Sequence, residues 1–295
     1  QTATIAHKAF FHAKITPMGK KVILAFSGGL DTSYCAKYLQ QEQGLEVHSV
    51  FVNTGSHTAK EMHMLKAQAN ALGVDAHTNL ELTEEYYRQG IRYLLFGNVL
   101  RNHTYPLSVS AERSFQARAI AAFARQSGAD YLAHGSTGAG NDQVRFDLIF
   151  QTIAPELNIM APVRDQHVSR DEEINYLQQH GYHYGWRKAR YTDNKGLWGP
   201  SIGGQETLTS HLPLPEDAFP GHAKKQEAQN ITIEFRQGEP YELNGQNTGE
   251  PVPIIRELNA LGESYGIGRG IHTGDTILGI KGRVGFEAPA AMILI

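Results

Sequence analysis

The chain has 295 residues, 41% of them apolar and 19% charged, which is enough to bury a sizeable core in one large or two modest domains. No run approaches the roughly 18 consecutive apolar residues of a membrane span, and a formal net charge of −3 without a long basic run argues against a dedicated nucleic-acid surface. The single cysteine, Cys35, excludes an internal disulfide and a zinc cluster of cysteines, and makes the cytoplasm the expected compartment.

Residues 1–17 hold Lys8 and Lys14 among aromatic residues but no apolar stretch of a secretory signal. They are read as a tag, leader or poorly ordered arm, with Met18-Gly19-Lys20-Lys21 running straight into the first strand. Residues 22–26 are an unbroken apolar run, which predicts a strand buried on both faces of a parallel sheet. Ser27-Gly28-Gly29-Leu30-Asp31-Thr32-Ser33 follows at once. Leu30, Tyr34, Tyr38 and Leu39 then recur at helical spacing, with Gly44 where a C-cap would fall. A strand, a glycine turn and a hydroxyl-rich helix N-terminus suit a phosphate, because free backbone N–H groups and the helix dipole point outward there. The loop lacks the Gly-Lys-[Ser/Thr] ending of a Walker A motif and the Gly-x-Gly-x-x-Gly of a dinucleotide fingerprint. It resembles the Ser-Gly-Gly-x-Asp-[Ser/Thr] pyrophosphate loop of the ATP pyrophosphatases, which split ATP between its α and β phosphates. The bland alternative is an ordinary tight turn. Cys35, on the inner side of the helix, reads as a small buried apolar group.

Residues 46–52 read as a second strand ending at Asn53-Thr54-Gly55, and 59–72 as a helix with Leu65, Ala69 and Leu72 on one face and Gly73 closing it. A third strand over 76–82 and a helix over 84–95 continue the alternation. That pattern predicts an α/β fold, a doubly wound parallel sheet, with the ligand beyond the carboxyl ends of the strands. Pro106 interrupts the next stretch, and Ser110 is the predicted N-cap of a helix over 111–126, closed by Gly128. A short strand over 131–133 feeds His134-Gly135-Ser136-Thr137-Gly138-Ala139-Gly140-Asn141-Asp142, with Arg145 one turn further on. Its glycines let backbone close on a ligand, on the same rim as the first loop. Residues 159–163 give one more strand, and Ser169 to Glu172 is a capping box for a helix that ends at Gly181. From Trp186 the composition shifts to short strand-like pieces, read as a smaller α+β domain. Within it, 191–201 reads as a long loop carrying Thr192 and Ser201. Residues 231–235 and 241–243 form a hairpin across Gln237-Gly238, 254–261 a short helix, and 276–280 and 291–295 strands. The histidines show no ligand spacing, and no metal centre is expected.

From Lys21 to the last residue the chain resembles the argininosuccinate synthases. The resemblance rests on residues 137–145, on Tyr105 with Ser110, on Ala161-Pro162-Val163-Arg164, on Gly196-Leu197-Trp198 and on Tyr265-Gly266-Ile267-Gly268-Arg269. It implies an ATP-binding domain over 18–168 and a synthetase domain over 169–295 that binds citrulline and aspartate and assembles a homotetramer. It also implies ATP with Mg²⁺, and neither nucleic acid nor membrane as partner. Two steps are implied: the ureido oxygen of citrulline attacks the α-phosphorus to give citrullyl-AMP and pyrophosphate, and the amine of aspartate then displaces AMP. Matched by motif, Ala25, Phe26, Ser27, Gly28, Gly29, Leu30, Asp31, Thr32, Ser33, Val52 and Gly135 would meet ATP. Thr137, Asn141 and Asp142 would meet aspartate, and Tyr105, Ser110, Asn141, Arg145, Thr192 and Ser201 citrulline. Asp31, Ser33, Asp142 and Arg145 form the implied catalytic set. Arg145 suits a carboxylate and Asp142 an ammonium, and catalysis would be positioning and charge stabilisation rather than covalent attack.

Three departures stand beside the resemblance. The family has Ser at Thr192, and Glu and Tyr at Gly274 and Phe286. Its members also continue past Ile295 into an arm that helps build the tetramer. These departures leave open a related substrate such as N-acylated citrulline, and nucleotide binding without ligation. A thiolating activity is poorly served by one packed cysteine. The bland readings are Tyr105 as a core aromatic, Asp142 with Arg145 as a structural ion pair, and Thr192 and Ser201 as ordinary loop hydroxyls.

Overall fold

Strand β1 (Lys21–Ala25) lies at the centre of a parallel sheet in the computed structural model, which describes residues 19–138, 140–186, 191–204, 206–273 and 282–295, without the side chains of Thr192 and Asp193. After it come α1 (Leu30–Gln41), β2 (Glu46–Asn53), α2 (Ala59–Ala71) and β3 (Ala76–Glu81). Next are α3 (Thr83–Tyr86), a π-helical segment (Tyr87–Ile91), α4 (Arg92–Phe96), α5 (Ser108–Gln126) and β4 (Tyr131–Ala133). This half closes with α6 (Asp142–Ile153), β5 (Asn158–Met160), α7 (Pro162–Asp165) and α8 (Arg170–Gln179). The second half holds β6 (Tyr191–Asn194), β7 (Ser201–Gly204), β8 (Ile233–Arg236), β9 (Glu239–Leu243), β10 (Gln246–Asn247) and α9 (Pro251–Tyr265). It ends with β11 (Arg269–Thr273), β12 (Arg283–Glu287) and α10 (Pro289–Leu294).

The first sheet has the order β3-β2-β1-β4-β5, parallel throughout, so the winding reverses between β1 and β4. Both faces of β1 are buried, as its unbroken apolar run requires. Val22 and Leu24 enter a core shared with Cys35 and Leu39 of α1 and Leu177 of α8. Ile23 and Ala25 enter the opposite core, with Ile120 of α5 and Phe150 of α6. The second half forms an antiparallel sheet β11-β12-β7-β6 and a small one, β10-β9-β8. Its own core, with Trp198, Leu258 and Phe286, also takes in Tyr86 of α3 and Phe115 of α5, so it packs on helices rather than on the parallel sheet. Among the described residues no helix is long and apolar enough to cross a membrane.

Several boundaries depart from the sequence reading. Helix α5 begins at Ser108, and its N-cap is Leu107 in the left-handed region (φ 56°), not Ser110. The capping acceptor comes instead from the Tyr105 hydroxyl, which receives the Val109 N–H at 3.2 Å. The strand expected over 159–163 stops at Met160, because Pro162 opens α7 at a position where its missing N–H costs nothing. The stretch 191–201 is not one long loop: β6 and β7 pair antiparallel, Thr192 opposite Gly203 and Asn194 opposite Ser201. Helix α9 runs fifteen residues from Pro251, longer than expected, with Val252, Ile255 and Leu258 on its buried stripe. The last segment is helix rather than strand: Pro289 starts α10, and Ala290, Ala291 and Leu294 are buried. The strand expected over 276–280 lies outside the described residues.

Candidate active site

Where the winding of a parallel sheet reverses, the loops after the two central strands splay apart and leave a crevice. Here those loops are Ser27 to Gly29 after β1 and His134 to Asn141 after β4. A cavity of about 580 Å³ fills the crevice, walled by Ala25, Phe26, Ser27, Gly29, Leu30, Asp31, Thr32, Val52 and Gly135. All were assigned to ATP in sequence.

The first loop is built for close approach. Gly28 has φ +75°, and the Gln68 side-chain amide of α2 donates to its carbonyl at 2.7 Å. Gly29 precedes α1 with no side-chain cap, so the N–H groups of the first turn remain for a ligand. Thr32 donates its hydroxyl to the Gly29 carbonyl at 3.2 Å and receives the Ser27 N–H at 3.4 Å. At Gly135 a Cβ would lie 3.1 Å from the backbone nitrogen of Thr32, so the second loop rests on the N-terminus of α1 with no room for a side chain.

Two residues assigned to ATP stand elsewhere. Gly28 shapes the loop from behind, and Ser33 is fully buried, 3.5 Å from the Gln68 amide, with its N–H committed to the Gly29 carbonyl. The fourth helical position turns the Ser33 side chain inward, behind the loop. Asp31 does reach the cavity. Burial raises its pKa, and a hydrogen bond joins it to the carboxyl of Glu173 on α8. Burial first, and then the Asp31 charge, push Glu173 up to about 8.

The second loop is locked from below. The Ser136 N–H donates to Nδ1 of buried His134 at 3.2 Å, so His134 carries its proton on Nε2 and donates it to Asp147 at 2.9 Å. Arg164 of α7 donates to the other Asp147 oxygen at 2.5 Å. Gln143 closes the glycine turn by donating to the Gly138 carbonyl at 2.6 Å. Through Arg164 the Ala161-Pro162-Val163-Arg164 motif is thereby a support of this loop.

A second cavity, of about 480 Å³, opens between the two halves. Tyr105, Ser110, Asn141, Arg145 and Ser201, five of the six positions assigned to citrulline, line it. The sixth is Thr192, whose side chain lies outside the described residues. Arg145 donates to Asp142 at 2.6 Å and to the Ser110 hydroxyl at 3.1 Å, and Asp142 also faces Arg113 at 3.5 Å. Of the aspartate set, Thr137 stands on the first cavity, Asn141 on the second and Asp142 on both. Gly140, Asp142 and Asn194 belong to both walls, so the cavities meet there. Tyr105 stacks on His272 at 5.1 Å and spends its hydroxyl on the cap of α5. Phe286 is not on the wall. It is buried behind Tyr105, ring centroids 5.5 Å apart, and Gly274 lies outside the described residues.

Sequence reasoning missed Arg113, Gln116 and Asn194. Arg113 donates to Gln116 at 2.6 Å and to Asn194 at 2.9 Å, and Gln116 donates to the Val52 carbonyl at 3.2 Å. The available signal was periodic: Val109, Arg113, Gln116 and Ile120 recur at helical spacing, a polar break in an otherwise apolar stripe. Among the described residues no cluster of His, Cys, Asp or Glu could hold a metal ion by itself.

The Arginosuccinate synthase N-terminal HUP domain matches residues 21–183, and the Arginosuccinate synthase C-terminal domain matches 193–295. The argininosuccinate synthase of Dictyoglomus thermophilum is 40% identical over 278 residues, 94% of this chain and 69% of the relative. That of Rubrobacter xylanophilus is 38% identical over 283 residues (94% and 68%), and that of Methanocaldococcus jannaschii 35% over 281 (94% and 70%). Two matched domains in order, and identity of 35–40% to curated relatives over 94% of the chain, leave one assignment: the chain belongs to the argininosuccinate synthase family, ligases that join citrulline to aspartate with ATP.

Proposed function

We propose that this chain makes argininosuccinate in two steps, using ATP with Mg²⁺, as a cytoplasmic homotetramer. ATP occupies the first cavity, its phosphates on the Ser27 to Thr32 loop and its adenosine along Val52. A magnesium ion on those phosphates needs one or two carboxylates beside it, and Asp31 is the acidic side chain the loop offers. Citrulline occupies the second cavity, its carboxylate on Arg145 and Ser110. Its ureido oxygen attacks the α-phosphorus, the bond to the bridging oxygen breaks, and pyrophosphate leaves. The free amine of aspartate, held near Thr137, Asn141 and Asp142, then attacks the activated carbon. AMP departs with the C–O bond electrons, and the amine gives up a proton. No side chain forms a covalent bond; the rate comes from orientation and from charge placed where charge develops.

One observation carries this reading: the cavities meet at Gly140, Asp142 and Asn194, so a phosphate in one and a ureido group in the other come within reach. The test is pyrophosphate release from ATP with citrulline and aspartate supplied separately and together. Release with citrulline alone and argininosuccinate with both support it; ATP binding without release under any addition rejects it. A second reading, citrulline with its amine acylated, draws on Phe286, whose buried ring offers the pocket no hydroxyl. Side-by-side kcat/KM values for the two substrates decide between them.

A further inference from the structure

Glu112 is an enclosed carboxyl group that the two-step reading leaves unused. It sits on α5, 1% exposed, one residue before Arg113. Thr54, just after β2, donates its hydroxyl to Oε1, and Oε2 has no hydrogen-bond partner among the described residues. Against Oε2 lies the backbone of Gly196, in the loop between β6 and β7, where a Cβ would stand 2.6 Å from that oxygen. An ionised carboxylate with one bare oxygen against backbone is a costlier arrangement than a neutral carboxyl in the same place.

The ionisable groups facing it are few. Burial pushes Glu112 up to about 7, against Arg113 on its own helix and the Thr54 hydrogen bond, which favour the charged form, and with Asp142 of α6, which opposes it. Tyr86 of α3 faces it as well and stays neutral, held far above its ordinary value chiefly by burial.

The Thr54 hydroxyl also receives the Gln116 amide at 3.3 Å, and through Gln116 and Arg113 the hydrogen bonds run on to Asn194 at the junction of the cavities. Glu112 therefore stands where three pieces are keyed together: the adenosine rim of β2, the polar stripe of α5, and the loop that carries Asn194 and Gly196. We propose that Glu112 is a positioning residue for the ligation, whose neutral form lets the Gly196 loop seat on α5 and hold Asn194 and Arg113 at the cavity junction, and whose ionisation unseats that loop. The inference rests on the two-step reading and goes beyond it by assigning a group that touches no substrate.

The test is the pH profile of kcat/KM for aspartate, with ATP and citrulline saturating, in wild type, Glu112→Gln and Gly196→Ala. If only the neutral form is competent, wild type falls about tenfold or more between pH 6.5 and 8.5. Glu112→Gln, neutral at every pH, loses that alkaline fall. Gly196→Ala places a methyl where Oε2 lies and lowers the rate at every pH. Thermal melting gives a second readout. A carboxyl raised by folding stabilises fully below its unfolded pKa and loses that stabilisation as pH rises through its folded one, so Glu112→Gln gains in Tm on wild type from pH 5 to 8. Parallel pH profiles in wild type and Glu112→Gln overturn the inference and leave the ligase reading standing. No citrulline-dependent pyrophosphate release from wild type at pH 6.5 overturns both.

Discussion

Substituting alanine at Gly28 and, separately, at Gly29 divides the work of the phosphate loop between conformation and contact. Gly28 holds φ +75°, where an L side chain costs about 1–2 kcal/mol. Its new Cβ would fall 2.5 Å from Leu65 Cδ2 and 2.8 Å from Gln68 Oε1, so Gln68 must swing away and give up its bond to the Gly28 carbonyl, worth about 1 kcal/mol. Together these amount to about 2–3 kcal/mol, which for a chain of this size lowers Tm by about 4–10 °C. Gly29 is different: its φ of −70° suits any residue, and its Cβ would meet only the Ser27 hydroxyl, at 3.4 Å. Gly29→Ala is expected to melt with wild type, within about 0.5 kcal/mol. Yet its methyl stands at the mouth of the helix N-terminus, so citrulline-dependent pyrophosphate release should drop at least about tenfold, roughly 1.4 kcal/mol. Melting curves and pyrophosphate release on the same preparations provide the assay. A Gly28→Ala protein that melts with wild type would refute the conformational argument, and normal turnover in Gly29→Ala would remove phosphate approach from the role of that residue.

Asp142→Ala should raise KM for aspartate about tenfold or more while ATP–pyrophosphate exchange with citrulline alone persists, since a charge-assisted contact contributes about 1.5–3 kcal/mol; equal loss of both steps means the carboxylate does not belong to the second substrate. Arg145→Lys replaces the fork that reaches Ser110 and Asp142 together by a point charge, so KM for citrulline should climb while Tm changes little. A KM for citrulline equal to that of wild type would take Arg145 out of the pocket. For Asp147, burial raises the pKa, but the hydrogen bonds from His134 and Arg164 and the charge of Arg164 outweigh it and hold the pKa below the usual range. Its stabilisation is present above the unfolded carboxylate pKa and lost as pH falls through the folded one. Asp147→Asn should therefore lower stability by about 1–2 kcal/mol at pH 7, a gap that closes as the pH is brought below about 4. A gap constant from pH 3 to 7 would mean that the carboxylate charge contributes nothing.

The nucleotide side was the legible part, because its determinants are local. An apolar run, a glycine that must take positive φ and a helix N-terminus sit within a dozen residues, and each acts on its immediate neighbours. What was misread depended on distant partners. The pairing of β6 with β7 is set by β12, which binds Ser201 through Phe286 some eighty residues later. The last segment, with two isoleucines and a leucine in five residues, has strand propensity; Pro289 at the first helical position and the packing of α10 on α9 override it. Ser33 lies off the cavity wall for a different reason. Its residue type fitted the motif, but at the fourth position of α1 it follows Leu30 into the interior.

Helix α5 explains why both cavities could be read at all although the start of the helix was misplaced. Expected from 111 and found from 108, it gains a turn at its N-terminus, and the spacing of the residues inside it, which alone decides what they share a face with, is untouched. The stripe itself is what the two half-sites share. Ser110 on the first turn stands in the second cavity, and Arg113 and Gln116 on the next stand in the first. Between them Glu112 points into the seam with the second half. One rigid helix thus sets the distance between two substrates that must react with each other. The polar residues on its inner side, which a purely packing-driven helix would replace by apolar ones, are the trace of that task in the sequence.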